Sequence, residues 1–403
     1  MGPDKTISIN GAGIAGLTLA LALAKLGFRV VIAEQSREIS QFGAGLQVSP
    51  NARRVLNELG LNEVIAAHSF EPAGIDIYRH GKSAPLSKVT LGQFSKERYA
   101  GTPYAVMHRA DLAEQLYKAT KAFPNIEILF GVTQTRVEDL GDGVSVIIER
   151  EGKASYPLTA RAHIGADGVR SVTRTEVLGG RRPQYSGYVA WRAMASLEQL
   201  GKILPKDRSA LFWGTDYHMV VYPLPQREQF NVVLVTEFAL PLEDTDTPEI
   251  SNKSLSKNKT LSSIMESISE PWTAWPLFNV KTDTWFKGNV AILGDAAHAM
   301  LPFQAQGAAM SIEDAGLLAT ILASETNNAI AFGKWQNLRQ PRANRVQDQS
   351  QRNGFVFHMS PPLSWARDAV VAGKTAEGHL ERLDWIYAHD AFEGMLISKS
   401  PKN

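Results

Sequence analysis

The chain has 403 residues, with 42 Lys and Arg against 41 Asp and Glu, a formal net charge of +1 and no cysteine. This length exceeds what one small core organises, and the balanced charge argues against nucleic acid or an anionic membrane surface as the main partner, because both require a basic surplus. Without cysteine there is no disulfide, Cys-ligated zinc, iron–sulfur cluster or thiol catalysis, so any redox chemistry must run through a bound organic cofactor.

The first predicted unit is βαβ. Residues 14–26 (IAGLTLALALAKL) have the apolar character of a signal-peptide core, but only Lys5, offset by Asp4, precedes them, and the run is too short to span a bilayer. The pattern instead predicts a strand over Thr6–Asn10, a glycine turn over Gly11–Gly16, a helix over Leu17–Leu26 closed by Gly27, and a second buried strand over Arg29–Ala33 ending at Glu34. In Gly11-x-Gly13-x-x-Gly16 the first glycine permits the tight turn, the second lets a pyrophosphate approach the backbone, and the third lets helix and strand pack closely. The helix start then offers free N–H groups to the phosphate, and Glu34 is suited to a ribose hydroxyl. This predicts a dinucleotide site and leaves NAD and FAD open. No other run is long and apolar enough to cross a membrane, and a cytoplasmic protein is expected.

Helices are predicted over Asn51–Leu59 and His108–Ala122, and strands over Ile126–Phe130 and Gly143–Glu149. The segment His163–Arg174 (HIGADGVRSVTR) reads as a strand entering the turn Asp167-Gly168, followed by Arg170, Ser171 and Arg174. Between Tyr185 and Phe238 the texture becomes β-rich and aromatic, which predicts a second domain on an open sheet. Glu243–Ser263 is polar and linker-like. In Val290–Ala315 a buried strand delivers Asp295 at its C-terminal edge, where ligands bind in α/β sheets. Pro302 interrupts, Gln306-Gly307-Ala308-Ala309 opens a helix with small residues, and helical patterns continue from Ser311 to the end. No repeat and no metal-ligand set stands out.

The three motifs in this order resemble the single-component, FAD-dependent aromatic hydroxylases, the group of salicylate, 3-hydroxybenzoate and 6-hydroxynicotinate monooxygenases. The resemblance runs to about residue 345. Gly11, Gly13 and Gly16 with Glu34 match the family's ADP-binding turn, Asp167-Gly168 with Arg170 its DG motif, and Gly294-Asp295 its GD motif, whose acid holds the FAD ribose or ribityl chain. His108-Arg109-Ala110-Asp111-Leu112 looks like a segment whose arginine contacts FAD, Val132 falls where the family packs adenine, and Gly43-Ala44-Gly45 with Pro50-Asn51 resemble the loop beside the flavin ring. The resemblance implies non-covalent FAD contacted by Gly11, Gly13, Ile14, Ala15, Gly16, Glu34, Gln35, Gly45, Arg109, Val132, Asp167, Asp295, Gly307, Ala308 and Ala309. With one GxGxxG only, NADH or NADPH is expected to dock transiently on the FAD domain.

The implied fold is α/β: a Rossmann-like FAD-binding domain of the para-hydroxybenzoate hydroxylase type, an inserted β-sheet substrate domain and a C-terminal helical segment. We expect residues 1–78, 100–182 and 280–340 in the FAD-binding domain, 79–99 and 183–279 in the substrate domain, and 341–403 in the helical segment. The implied reaction hydroxylates a small phenolic or N-heteroaromatic acid with NAD(P)H and O2, through a flavin C4a-hydroperoxide. The protein's part is to position the ring, exclude water and take the phenol proton.

In Trp213–Leu224 (WGTDYHMVVYPL) residues His218, Val220 and Tyr222 share one strand face. The stretch resembles the segment where family members touch substrate with histidine and tyrosine. That makes His218 the candidate general base, with Tyr222 beside it; taken alone, His218 reads as an ordinary sheet histidine. Pro302 and Gln304 fall where the family shapes the oxygen pocket, and Phe303 stands where several relatives place a histidine. Gln47 is a candidate substrate contact. Arg192 either binds a substrate carboxylate or sits in a surface ion pair, and His298 reads as structural. Alternatives are an epoxidase or ring-opening oxygenase with the same flavin chemistry, a flavin halogenase, for which the spacing of Trp272 and Trp275 is wrong, and a flavin-bound redox sensor without turnover. A monomer or homodimer is expected.

Overall fold

The computed structural model describes residues 5–39, 44–239, 250, 255–269 and 271–393. Gly43, on the predicted flavin loop, and most of the linker-like stretch from Glu243 to Ser254 lie outside these residues.

Two sheets organise the chain. The first has six strands in the order Phe286–Lys287, Val290–Ile292, Ala162–Gly165, Thr6–Asn10, Arg29–Glu34 and Ile126–Phe130, all parallel except the edge pair Phe286–Lys287 with Val290–Ile292. Its central strands are buried on both faces, so their sequences are continuous apolar runs rather than alternating ones. The helix Ile14–Lys25 that links the first two strands is apolar all round, and ten of its residues, Ile14 and Gly16–Ala24, are buried. Such a helix must be covered on both sides; the sheet covers one, and the helices Arg109–Thr120 and Gly307–Ser324 pack against the rest. A three-stranded antiparallel sheet, Val132–Asp139, Val144–Arg150 and Tyr156–Ala160, packs on the six-stranded sheet around a separate cluster that includes Val31, Ala33 and Val290.

The second sheet has seven strands in the order Thr273–Asn279, Gln184–Ser196, Gln229–Glu237, Tyr217–Leu224, Arg208–Trp213, Gly74–Tyr78 and Ser87–Thr90. It is antiparallel apart from the pair Arg208–Trp213 with Gly74–Tyr78. One face packs on its own core of Trp191, Phe212, Met219 and Leu234. The opposite face turns toward the first sheet. A short ladder of Gly45–Val48 with Ala105–His108 lies between the two.

Element positions agree with the sequence pattern to within a few residues: the predicted Leu17–Leu26 helix begins at Ile14, and the Asn51–Leu59 helix runs Pro50–Glu58. Two expected domain borders fall differently on these elements. Gly74–Tyr78, expected with the FAD-binding segment, is hydrogen bonded into the seven-stranded sheet. The border before Pro341 lies inside one helix, Asn328–Phe357. A proline in a helix interior loses one hydrogen bond and crowds the preceding turn. Here the turns on either side are held by burial of Trp335, Arg339, Ala343 and Val346. Among the described residues no helix is long and apolar enough to cross a membrane, and no group of three or more His, Asp or Glu is placed to hold a metal.

Candidate active site

Between the sheets lies a cavity of about 690 Å³. One wall is made of backbone. Gly11 sits at φ +104°, a conformation that favours glycine, and a Cβ there would lie 2.5 Å from the carbonyl oxygen of Ala166. At Gly16 a Cβ would lie 2.0 Å from the Gly11 carbonyl oxygen, so turn, strand and helix meet without room for one methyl group. Gly13, by contrast, faces open space. It caps the Ile14–Lys25 helix with no side-chain hydrogen bond, so the first-turn amides keep free donors where Gly13, Ile14 and Ala15 line the cavity. The carboxylate of Glu34 accepts from the N–H of Ala12 at 2.6 Å and of Ser36 at 2.8 Å; it braces the turn and, with Gln35, lines the cavity.

The DG and GD segments close this wall. Asp167 Oδ2 accepts from the N–H and hydroxyl of Thr173, both at 3.0 Å, and from Asn10 Nδ2 at 3.3 Å, while Oδ1 is buried with no partner. Arg174 is fully buried and donates to the carbonyls of Val169 and Ala296, tying the two segments together. Asp295 begins a short helix after Gly294 at φ +60°. Behind it stands a buried ionic cluster: Asp314 accepts from Gly294 N at 3.2 Å, His298 Nε2 at 2.5 Å and Arg339 Nε at 2.7 Å, and Glu313 pairs with Arg339 and Arg342. Burial alone would raise both carboxyls. For Glu313 the charges of Arg339 and Arg342 outweigh it, and for Asp314 those of His298 and Arg339, holding each at about 2. Asn51 donates to Glu313 at 2.6 Å and to Gln306 at 3.1 Å, fixing the start of the Gly307–Ser324 helix, whose Gly307 and Ala308 line the cavity.

The facing wall is made of side chains. Register places Arg192, Val233 and Val220 side by side on three adjacent strands, with His218 beside Val235 in the row to one side and Tyr222 beside Asn231 in the row to the other. All but Asn231 line the cavity. With strands about 4.8 Å apart, the Arg192 backbone lies about 10 Å from Val220, between His218 and Tyr222. His218 is buried and packs its ring against Phe303 and Phe357 at 4.9 and 5.2 Å. Its Nδ1 is hydrogen bonded to His358 Nε2 at 2.9 Å. Burial, with His358 adjacent, pushes the His218 imidazole well below its ordinary value, so it stands neutral at pH 7. Burial raises the Tyr222 hydroxyl, opposed by Arg192 and Asn231. Arg192 lines the cavity, with its Nε buried and unpartnered and its guanidinium 5.3 Å from the Trp275 ring centroid. It has no ion pair among the described residues, so of its two readings the surface ion pair is not the one found.

The walls are joined at Gly45, whose N–H donates to Asn231 Oδ1 at 2.6 Å; a Cβ on Gly45 would lie 2.4 Å from the Tyr222 hydroxyl. Gln47, Arg109, Asp295 and Pro302 also line the cavity. Five expected residues do not. Gly16 and Ala309 are buried behind it. Val132 packs in the core of the three-stranded sheet. Phe303 packs in the cluster of Ala190, Val235 and Leu301 with its ring against His218. Gln304 is turned to Asn353, whose Nδ2 donates to it at 2.6 Å. The sequence reading missed Asn231 and His358. An asparagine inside the apolar run FNVVLV was a usable signal; His358 had none, because its partner is 140 residues away.

A sequence-family model described as FAD binding domain matches residues 4–350. The chain belongs to this family. Across 393 residues it is 31% identical to 3-hydroxybenzoate 6-hydroxylase 1 of Aquipseudomonas alcaligenes, covering 96% of this chain and 98% of that protein. It is also 31% identical to 6-hydroxynicotinate 3-monooxygenase of Pseudomonas fluorescens, covering 91% and 95%. The fold is that of Klebsiella pneumoniae HpxO, solved with FAD and uric acid (TM-score 0.81, 21% identity, 94% and 95% covered), and of a salicylate hydroxylase substrate complex (TM-score 0.77, 23% identity, 96% of each). The chain is therefore an FAD-dependent monooxygenase of the aromatic hydroxylase group. Its own atoms fit the cofactor: the open approach at Gly13, the uncapped helix start beside it and the orphaned buried Oδ1 of Asp167 supply what a bound dinucleotide needs.

Proposed function

We propose that this flavoprotein hydroxylates a small aromatic acid bearing a ring hydroxyl, a phenol or its N-heteroaromatic equivalent. The observation that carries the reading is Arg192, a half-buried cation whose Nε is buried and unpartnered and which has no acidic partner among the described residues, on the same cavity wall as a neutral histidine and a tyrosine. Leaving such a donor unmatched is costly, and a substrate carboxylate satisfies it. The relatives named for 3-hydroxybenzoate and 6-hydroxynicotinate act on molecules of this shape.

In this reading the amides at Gly13, Ile14 and Ala15 hold the FAD pyrophosphate, Gly11 makes the tight turn with its own N–H donated to the Ala33 carbonyl, Glu34 and Gln35 hold the ribose, and Arg109, Gly45, Asp167, Asp295, Gly307 and Ala308 the remainder. When bound, FAD supplies two-electron reduction by NAD(P)H and the activation of dioxygen. Arg192 anchors the carboxylate and Gln47 lies within the same space. The ring then lies along Val233 and Val220, which exclude water. His218, with Nδ1 engaged by His358, has Nε2 left to accept the phenol proton, and Tyr222 holds the substrate oxygen. Pro302 borders the reaction space. Use of NAD(P)H, a soluble intracellular reductant, supports a cytoplasmic enzyme.

The test is to add hydroxybenzoates and hydroxypyridine carboxylates to the holoenzyme and follow NAD(P)H oxidation, hydrogen peroxide and product mass. One or more acids should stimulate oxidation and yield a product gaining one oxygen atom. No stimulation by any member of the panel sinks the proposal.

A further inference from the structure

The strand Gln229–Glu237 breaks its own pattern at one position. Phe230, Val232 and Leu234 turn into the core of the seven-stranded sheet, and Val233 and Val235 line the cavity. Asn231 shares the cavity-side face with those valines and is fully buried, between Met194 and Tyr222 on the flanking strands. A polar side chain is costly there unless its groups are hydrogen bonded.

The orientation of the Asn231 amide follows from counting donors. Gly45 offers it a backbone N–H at 2.6 Å, so the amide atom that meets Gly45 is the oxygen. The NH2 group therefore faces away from Gly45, and Nδ2 is buried without a partner. Tyr222 is the direct cross-strand neighbour of Asn231, and its hydroxyl lies 2.4 Å from where a Cβ on Gly45 would stand. The amide also favours the charged form of Tyr222, as a donor near its oxygen does.

We propose that Asn231 is a positioning residue that fixes Tyr222 as a hydrogen-bond donor to the ring oxygen of the substrate. The inference rests on the reading above in which Tyr222 holds that oxygen. An NH2 group only donates, so toward Asn231 the Tyr222 oxygen can only accept, and the hydroxyl hydrogen is left for the substrate. As Tyr222 donates, its oxygen becomes a better acceptor and draws in Asn231 Nδ2–H, which gives that group its partner. A donor at the substrate oxygen favours the phenolate over the phenol. Tyr222 keeps its own proton, because burial raises it. The same amide holds Gly45, so the donor is set in register with the flavin loop.

The other groups facing Tyr222 do not direct its hydrogen. Arg192 is a cation with donors only and favours the phenolate as well. Tyr104, whose charge would reach Tyr222, is buried and stays protonated, and His218 on the same strand is neutral.

The test reads ionisation of a bound phenol rather than turnover. Whichever of 2-, 3- and 4-hydroxybenzoate binds tightest to the FAD-loaded enzyme is titrated by ultraviolet difference absorbance in wild type, Tyr222→Phe, Asn231→Leu and the double variant. Tyr222→Phe should raise the pH at which the bound phenol ionises by about one unit, a tenfold change in the phenol-to-phenolate ratio. Asn231→Leu should raise it in the same direction, and the double variant should go no higher than Tyr222→Phe alone. If Asn231→Leu sheds FAD, Asn231→Asp takes its place: it keeps an oxygen for Gly45 and, as a carboxylate, turns the Tyr222 hydrogen away from the substrate. An unshifted ionisation in the Asn231 variant overturns the proposal. So does a further rise when that change is added to Tyr222→Phe, which would leave Asn231 acting through packing or the loop. Equal ionisation in wild type and Tyr222→Phe overturns it without any Asn231 variant. Hydroxylation of the acid with unshifted ionisation removes this inference alone, whereas no stimulation by any acid removes the function proposed above as well.

Discussion

The two walls of the cavity are built from opposite materials. Toward the six-stranded sheet the surface is backbone, presented by Gly11, Gly13, Ala15 and the start of the Gly307–Ser324 helix. Toward the seven-stranded sheet it is Arg192, His218 and Tyr222, side chains standing on one pleated face. Much of the cofactor wall is made of groups every residue owns, with the Glu34, Asp167 and Asp295 carboxylates set among them, so it is exacting first about space. The substrate wall is the reverse: the strands set positions about 4.8 Å apart, and identity is carried by which side chains occupy them.

If the cofactor wall depends on space, the smallest added atom should do the most harm. Gly16→Ala places a methyl 2.0 Å from the Gly11 carbonyl oxygen; we expect protein that retains no FAD after gel filtration, read from the 450 nm absorbance. A fully loaded Gly16→Ala enzyme would break the comparison. Next in size is the buried ionic cluster that holds the Gly307–Ser324 helix. Arg339→Met leaves Glu313 and Asp314 buried with one cation fewer, which costs about 3–5 kcal/mol and should lower the thermal midpoint by several degrees. An unchanged midpoint would mean the cluster is not structural.

On the substrate wall the prediction is chemical. Gly45→Ala pushes on the Tyr222 hydroxyl, while Tyr222→Phe removes that hydroxyl without moving the wall. We expect FAD to remain bound in Tyr222→Phe and kcat/KM to fall about tenfold; loss of FAD instead would place Tyr222 on the cofactor side. The smallest effect is on stability against pH. His358 is depressed in the folded state, so the unfolded chain binds more protons between its ordinary value near 6.5 and about 4. Stability present above pH 6.5 is lost through that window, and His358→Phe should flatten the wild-type decline. For Glu313 and Asp314 the same sign applies lower, with stability lost as pH falls from about 4.5 toward 2.

The same contrast explains what the sequence made legible. Gly11, Gly13, Gly16 and Glu34 are close in the chain, and their spacing is the site, so the cofactor wall reads from the letters alone. The shared face of His218 and Tyr222 was legible from their spacing of four on a strand, but only the resemblance to the hydroxylases singled them out. Arg192 carried the right chemistry but an open reading, since nothing local to it reports whether an acid faces it. Position after Pro302 puts Phe303 and Gln304 near the cavity, whereas packing against Leu301 or a bond to Asn353, which no spacing reports, decides which way each side chain goes. Asn231 and His358 act through partners on other strands and helices, and no spacing rule reaches that far.

The central claim is that the substrate wall selects an aromatic carboxylate through Arg192. Dissociation constants for the hydroxybenzoate that best stimulates turnover, and for its methyl ester, measured from flavin absorbance changes in wild type and Arg192→Met, test it directly. Wild type should prefer the acid by about 30-fold or more and the variant should bind both alike; equal binding of acid and ester by the wild-type enzyme would contradict the account.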